Sequence, residues 1–268
     1  AEASNGTEVE DFYRLEQALT PVLEVGEYSL YSLSLSEFEH EHSFFDQVKL
    51  FTVGHDANIN VAVSPTGEIL TYQNPNAPLS AVDEQSVSWL EELSDIDGDY
   101  YEGYNGSFLI LNFGEVTAQD AKLVMRADGP PLKYSIHIQV LDSAGNWMDV
   151  VSIIPRTYWA TEIVDLSSYL PATGEFKVRL YFTSDHKLDY VGLDTTSQAE
   201  ISLQEAQLLL AFHSEEWRVT TRLLCDDGVY AELVPGQQII LLFAASKPSE
   251  SNRTVIFYAR GYYYTLTN

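Results

Sequence analysis

Residues 97–113 and 227–243 are two versions of one segment. The first reads D-G-D-Y-Y-E-G-Y-N-G-S-F-L-I-L-N-F and the second D-G-V-Y-A-E-L-V-P-G-Q-Q-I-I-L-L-F, and they align without a gap. Eight of the seventeen pairs are identical, namely Asp97/Asp227, Gly98/Gly228, Tyr100/Tyr230, Glu102/Glu232, Gly106/Gly236, Ile110/Ile240, Leu111/Leu241 and Phe113/Phe243, where chance supplies about one. Two flanking stretches extend the likeness. K-L-V-M-R-A-D-G (122–129) parallels T-V-I-F-Y-A-R-G (254–261), and F-F-D-Q-V-K-L-F (44–51) parallels K-L-D-Y-V-G-L-D (187–194), aligning Asp46 with Asp189, Val48 with Val191 and Leu50 with Leu193. The chain therefore holds two copies of one unit, and whatever fold one copy takes must serve both.

Short β-rich runs bounded by Gly, Pro, Asn or Asp recur from Tyr28 to the C-terminus, and 28–38 alternates Leu30, Leu33 and Leu35 with Ser. That spacing predicts an all-β protein of two antiparallel sandwich units. Helix is expected at residues 8–19, where Thr7 and Glu10 fit a capping box, Val9, Phe12, Leu15 and Leu19 share a stripe, and Pro21 stops the run. A weaker helical pattern spans 83–93 through Val87, Leu90 and Leu93.

Within 105–195, the run I-H-I-Q-V-L-D-S-A-G-N-W-M-D-V is followed by a Pro, T-E-I-V-D-L-S-S-Y-L, F-K-V-R-L-Y-F and L-D-Y-V-G-L-D. This order resembles the galactose-binding-like (discoidin-like) jelly-roll domains. The resemblance implies a jelly-roll sandwich whose loops at one end bind sugars or calcium in some members and do purely structural work in others. The expected organisation is an N-terminal segment (1–27), a first β unit (28–104), the central sandwich (105–195) and a C-terminal β unit (196–268). The 28–53 hairpin is expected to pack with the C-terminal strands, within one chain or between neighbours; exchange between chains would propagate into a filament.

Fourteen Lys plus Arg stand against 40 Asp plus Glu, a formal net charge of -26. Such a field repels nucleic acid and anionic lipid, since phosphate binding needs a basic face. No stretch is long and apolar enough to span a membrane as a helix. The sequons at Asn5, Asn105 and Asn252, the abundance of Tyr, and the start A-E-A-S, which resembles the residue of cleavage at small side chains, lead us to expect a secreted or cell-surface protein with glycans at those asparagines. Cys225 is the single cysteine; Asp226 and Asp227 beside it disfavour a thiolate.

No nucleophile elbow, zinc-protease helix, P-loop or dinucleotide fingerprint occurs, so no catalytic residue is assigned. His40 and His42, two apart and flanked by Glu39 and Glu41, fit a metal site on a strand, but a solvated turn between two strands is the stronger reading. Asp95, Asp97 and Asp99 alternate as oxygen ligands for calcium would, the one cofactor the sequence suggests, yet D-G here also fits a plain turn. Tyr100, Tyr101 and Tyr104, Trp147 and Trp159, and Tyr262 to Tyr264 are the rings available to stack on a sugar, or to be buried between subunits. The leading expectation is a non-enzymatic structural or adhesive protein that partners itself, even as a filament subunit. A carbohydrate-binding module partnering cell-surface glycans is the alternative, and an acidic glycosidase is a third.

Overall fold

The structure, a computed structural model, describes residues 6–15, 19–38, 40–130, 135–142, 144–247 and 252–266. The chain divides into two units, one contiguous over 58–199 and the other joining 1–57 to 200–268. The central unit thus begins well before residue 105, and the stretch expected as a first β unit is split between the two.

The flanking segment before the central unit carries β1 (Val9–Arg14), β2 (Leu23–Val25), β3 (Tyr28–Ser36) and β4 (Glu41–His55). The central unit carries β5 (Asn60–Val63), β6 (Ile69–Tyr72), β7 (Ser80–Asp83), β8 (Tyr101–Gly103), β9 (Phe108–Glu115), β10 (Lys122–Asp128), β11 (Ile136–Leu141), β12 (Trp147–Ile153), β13 (Ala160–Asp165), β14 (Glu175–Phe182) and β15 (His186–Asp194). After it come β16 (Ser202–His213), β17 (Trp217–Arg218), β18 (Ala231–Leu233), β19 (Gln238–Ser246) and β20 (Asn252–Thr265). Among the described residues no helix is long and apolar enough to cross a membrane.

The central unit is the antiparallel jelly-roll-like sandwich that the resemblance implies. One sheet runs β12-β11-β14-β9-β7 and the other β13-β10-β15-β8. Alternate residues of both sheets, among them Leu109, Leu111, Met125, Ile138, Val178, Leu180 and Phe182, form its core, as the period of two along each strand requires. The β5–β6 hairpin covers Val124 and Ile163 on the outer side of the second sheet with Ala62 and Leu70. A buried ion pair, Lys122 Nζ to Asp194 Oδ2 at 3.2 Å, sits beneath it. Lys122 also donates to the Thr71 carbonyl, and Asp194 accepts the amides of Gln73 and Asn74 and the Thr196 hydroxyl.

The flanking unit repeats this plan with the strands taken in permuted order. Its sheet β1-β20-β4, with β18 on the far side of β4, stands for β13-β10-β15-β8, and β16-β19-β3 stands for β7-β9-β14. The equivalence holds bond by bond. Ala81 faces Leu111 as Ala211 faces Leu241. Trp89 N donates to Ala81 O at 2.9 Å and Val219 N to Ala211 O at 3.0 Å; Val191 N donates to Leu93 O and Val48 N to Leu223 O, both at 3.0 Å. The repeat is therefore longer than its sequence identity, running from residue 81 in one copy and 211 in the other. One detail differs from the sequence alignment. β10 and β20 carry the same bulge, between Arg126 and Ala127 and between Arg260 and Gly261, so Arg126 corresponds to Arg260, two residues off the register that aligned Gly129 with Gly261.

The described part of the helix expected at residues 8–19 is not helical. Val9–Arg14 is a strand paired with Ile256–Gly261, with Phe12 against Tyr258 at 5.0 Å between centroids. Val, Phe and Tyr are good strand formers, and the ladder offered by β20 outweighs local helix preference. Glu10, rather than capping, accepts from Arg260. Residues 83–93 are not helical either: the Asp83 carboxylate accepts the amides of Gln85 and Val87 and the Trp89 indole N–H, which fixes a turn in place of a helix start.

His186 begins β15 and is buried against Phe182. Burial pushes its pKa down to about 4, below the ordinary 6.5, so the folded state favours the neutral ring. Its stabilising effect is complete above pH 6.5 and is lost as pH falls from there to about 4. We expect the urea midpoint of the central unit to drop across that window and His186→Leu to flatten the drop, read by chemical denaturation at pH 7, 5.5 and 4.

Candidate functional site

Both copies bring their conserved residues to one place, beside the D-G turn. In the central unit the turn amides of Asp97 and Gly98 donate to Asp189 Oδ1 at 3.3 and 3.1 Å. In the flanking unit those of Asp227 and Gly228 donate to Asp46 Oδ1 at 3.3 and 3.2 Å. Gly98 and Gly228 have φ of 96° and 76°, a conformation that side-chain-bearing residues resist. Asp97 and Asp227 then accept the amides of Asp99 and Val229, both at 3.0 Å. A buried aspartate on an interior strand thus receives the turn that leads into the neighbouring strand, β8 beside β15 and β18 beside β4, the reason Asp46 and Asp189 align.

A guanidinium meets each clasp. Arg126 Nε lies 3.2 Å from Asp189 Oδ2, while Arg260 pairs with Glu8 at 2.8 Å, Glu10 at 3.1 Å and Asp226 at 2.9 Å. Over Arg126 lies Trp159, 5.8 Å from ring centroid to the guanidinium carbon, with Tyr100 5.9 Å from Trp159. At the matching place in the flanking unit stands Glu8, which accepts from Tyr230 at 2.6 Å. The Tyr230 and Arg260 hydrogen bonds hold the Glu8 carboxyl below its usual range. Lost hydration and a hydrogen bond with Asp46 push Asp226 up, against the opposing pull of Arg260. Among the described residues Glu8, Asp46 and Asp226 are the carboxylates that converge closely enough for a shared ion, and two of the three, Glu8 and Asp226, are already paired with the Arg260 guanidinium.

Of the rings singled out in the sequence, Tyr100 and Trp159 come together, and Tyr158 is exposed beside them. Lys187 Nζ lies 5.0 Å from the Tyr100 centroid. Tyr101 points into the core against Trp89 and Phe182, and burial pushes its hydroxyl up to about 12. Tyr104 donates to Glu84, and Trp147 opens β12, outside a turn, with Arg179 over its ring at 4.8 Å. Tyr262 stacks on Phe44 at 4.6 Å, with Tyr230 and Tyr264 edge-on. Asp95, Asp97 and Asp99 are all exposed, and Asp97 is engaged with the turn amide of Asp99. His42 pairs with Glu232 at 2.9 Å and stacks on Phe44, while His40 is exposed ahead of β4. Asn105 lies in the β8–β9 turn and Asn252 opens β20, both exposed; Asn5 lies outside the described residues. Arg126, Arg260, Glu8 and Asp226 were missed from sequence. The arginines were discoverable, since each immediately precedes the small residue at its bulge.

A second surface belongs to the flanking unit. Ile239, Leu241, Phe243 and Ala245 of β19 enter the core, so Gln238, Ile240, Leu242, Ala244 and Ser246 face outward. Their cross-strand neighbours on that face are Gln207, Leu210 and Phe212 of β16 and Tyr28, Leu30, Ser32, Ser34 and Ser36 of β3. Leu23 and Val25 of β2 continue it. None of these fifteen residues is charged, where a surface of this extent ordinarily carries about four. Phe212, Ile240 and Tyr28 are 43%, 45% and 55% exposed.

No family model matches the sequence, and no curated protein matches it. Among solved structures, a family 6 carbohydrate-binding module from Clostridium cellulolyticum in complex with xylose is 10% identical, with a TM-score of 0.26 over 57% of this chain and 95% of that one. A rhamnosidase from Novosphingobium sp. PP1Y is 10% identical, with a TM-score of 0.30 over 97% of this chain and 26% of its own. A chain of Sulfolobus Turreted Icosahedral Virus is 9% identical, with a TM-score of 0.18 over 98% of this chain and 92% of that one.

Proposed function

We propose that the protein is a non-catalytic structural component, exported to the cell exterior, that associates with copies of itself. The observation that carries this reading is the uncharged set of fifteen outward positions on β16, β19, β3 and β2. In a chain of net charge -26, two copies repel wherever their carboxylates meet; these positions carry none, and Glu205, the exposed carboxylate farther along β16, is paired with Lys49. A contiguous apolar sheet face on a soluble domain marks a contact surface. The clasp residues support the same reading: in both units the shared aspartates, arginines and turns are spent on holding strands together. Sedimentation velocity over a hundredfold concentration range is expected to show association that Phe212→Glu with Ile240→Glu abolishes while leaving the fold intact, since both side chains face solvent. A wild-type protein that stays monomeric throughout overturns the reading.

A second reading, glycan binding by the central unit, is favoured by Tyr100 and Tyr158, 39% and 48% exposed, beside Trp159 and the Asp97 and Asp99 carboxylates. Rings of this kind stack on sugar faces while carboxylates accept hydroxyl hydrogen bonds. On a glycan array, binding that Trp159→Ala removes would establish it, and silence from the wild type would dismiss it.

A further inference from the structure

Comparing the two copies shows a strand position filled in one and, among the described residues, without a paired strand in the other. In the central unit β14 is paired on both sides, by β9 and by β11, with Ile138 opposite Leu180 and Val140 opposite Val178. Val178 and Leu180 are fully buried there. The counterpart of β14 is β3, where Leu33 faces Leu241 as Val178 faces Leu111, so Leu33 and Leu35 stand for Val178 and Leu180. β19 pairs the whole of β3, but on its other side, among the described residues, β2 reaches only Tyr28 to Leu30. Pro21, opposite Ser32 in that register, has no N–H to continue the ladder. Leu33 and Leu35 are accordingly only half-buried, and Ser34 and Ser36 are exposed.

Val22 N donates to Leu30 O, so the backbone groups of Leu30 aim away from β19. By the period of two along a strand, those of Ser32, Ser34 and Ser36 aim the same way. The edge carries none of the devices that ordinarily block strand addition, such as an inward charge, a proline, a lysine or a bulge.

We infer that the free edge of β3, Ser32 to Ser36, pairs antiparallel with the same edge of a second copy, extending the flanking unit's sheet across a two-fold axis. This rests on the self-association proposed above and names its contact. The occupant follows from charge and pattern. The edge joins those uncharged positions, where two strongly acidic copies approach without repulsion. S-L-S-L-S is also its own complement: about Ser34, Ser32 meets Ser36 of the second copy and Leu33 meets Leu35, serines on the outer face and leucines toward the core. Three such serine pairings supply about six main-chain hydrogen bonds, and the facing leucines cover the core where β11 covers it in the central unit.

Ser34→Pro removes an edge N–H that β19 does not use, and Ser34→Lys sets two cations opposite each other on the axis. Sedimentation equilibrium is expected to show both variants dissociating at least tenfold more readily than wild type, with the thermal transition of the flanking unit unchanged. In a Cys225→Ser background, Ser34→Cys is expected to form a disulfide-linked dimer on mild oxidation, since the exposed Cys225 can no longer contribute. If both Ser34 substitutions leave association as in wild type while the Phe212→Glu, Ile240→Glu variant abolishes it, the edge is not the contact and the face alone is. If wild-type protein does not associate at all, the edge proposal and the functional reading fall together. A Ser34→Cys protein that stays monomeric under oxidation while wild type associates also overturns the two-fold register.

Discussion

Replacing Lys122 with Met is expected to lower the stability of the central unit by about 3–5 kcal/mol, because it leaves the fully buried Asp194 carboxylate without its cation. In thermal unfolding this corresponds to a midpoint about 10 °C lower or more for a unit of this size. The flanking unit indicates what the position tolerates. At the matching crossing of β20 and β4 stand Ile256 and Phe51, directly opposite each other, so the fold does not require an ion pair there. The double variant Lys122→Met, Asp194→Asn removes the stranded charge yet keeps an acceptor for the amides of Gln73 and Asn74. We expect it to recover most of the loss. Equal instability of the single and double variants would show that the lysine works through packing beneath the β5–β6 hairpin rather than through charge.

The second large effect concerns the clasp. Asp189→Ala leaves the amides of Asp97 and Gly98 without their acceptor and Arg126 without its carboxylate. Orphaning a buried or half-buried donor costs about 1–3 kcal/mol and a charged partner more. A loss of about 2–4 kcal/mol is therefore expected. Asp46→Ala should act on the flanking unit in the same way, through Asp227 and Gly228. Hydrogen exchange read by mass spectrometry separates the two: Asp189→Ala is expected to speed exchange over 93–103 and 186–194, Asp46→Ala over 41–55 and 223–233. If the two substitutions loosen the same peptides, the clasp is not a property of each unit.

These aspartates also show what the sequence makes readable. A D-G turn and the buried acceptor it needs are local chemistry, so Asp97, Gly98 and Asp189 could be matched with Asp227, Gly228 and Asp46 from letters alone. The arginines could not be matched as easily, because strands tolerate a shift of two residues without changing which side chains face inward, and the conspicuous glycines at 129 and 261 gave the wrong anchor. β1 was illegible for another reason. Its partner begins at Gly261, far along the chain, while Thr7, Glu10 and the Val9, Phe12, Leu15 spacing fit a helix locally. Tyr100 and Trp159 were each legible as rings able to stack on a sugar, and the fold sets them 5.9 Å apart. That Trp159 holds the place of Glu8, however, follows only from the strand equivalence, since the two share no chemistry.

The permuted strand order sets a timetable for synthesis. The central unit is contiguous and can close as soon as residue 199 has emerged, whereas β4 finds β20 only after the whole intervening chain has been made. Pairings of such long sequence separation form slowly because loop closure precedes any gain from contact. Until then β4, fifteen residues long and apolar along its inward side, waits without its ladder, the condition under which strands join the wrong neighbour. Refolding from denaturant should accordingly proceed in two phases, the fast one from residues 58–199 and the slow, concentration-sensitive one from the ends.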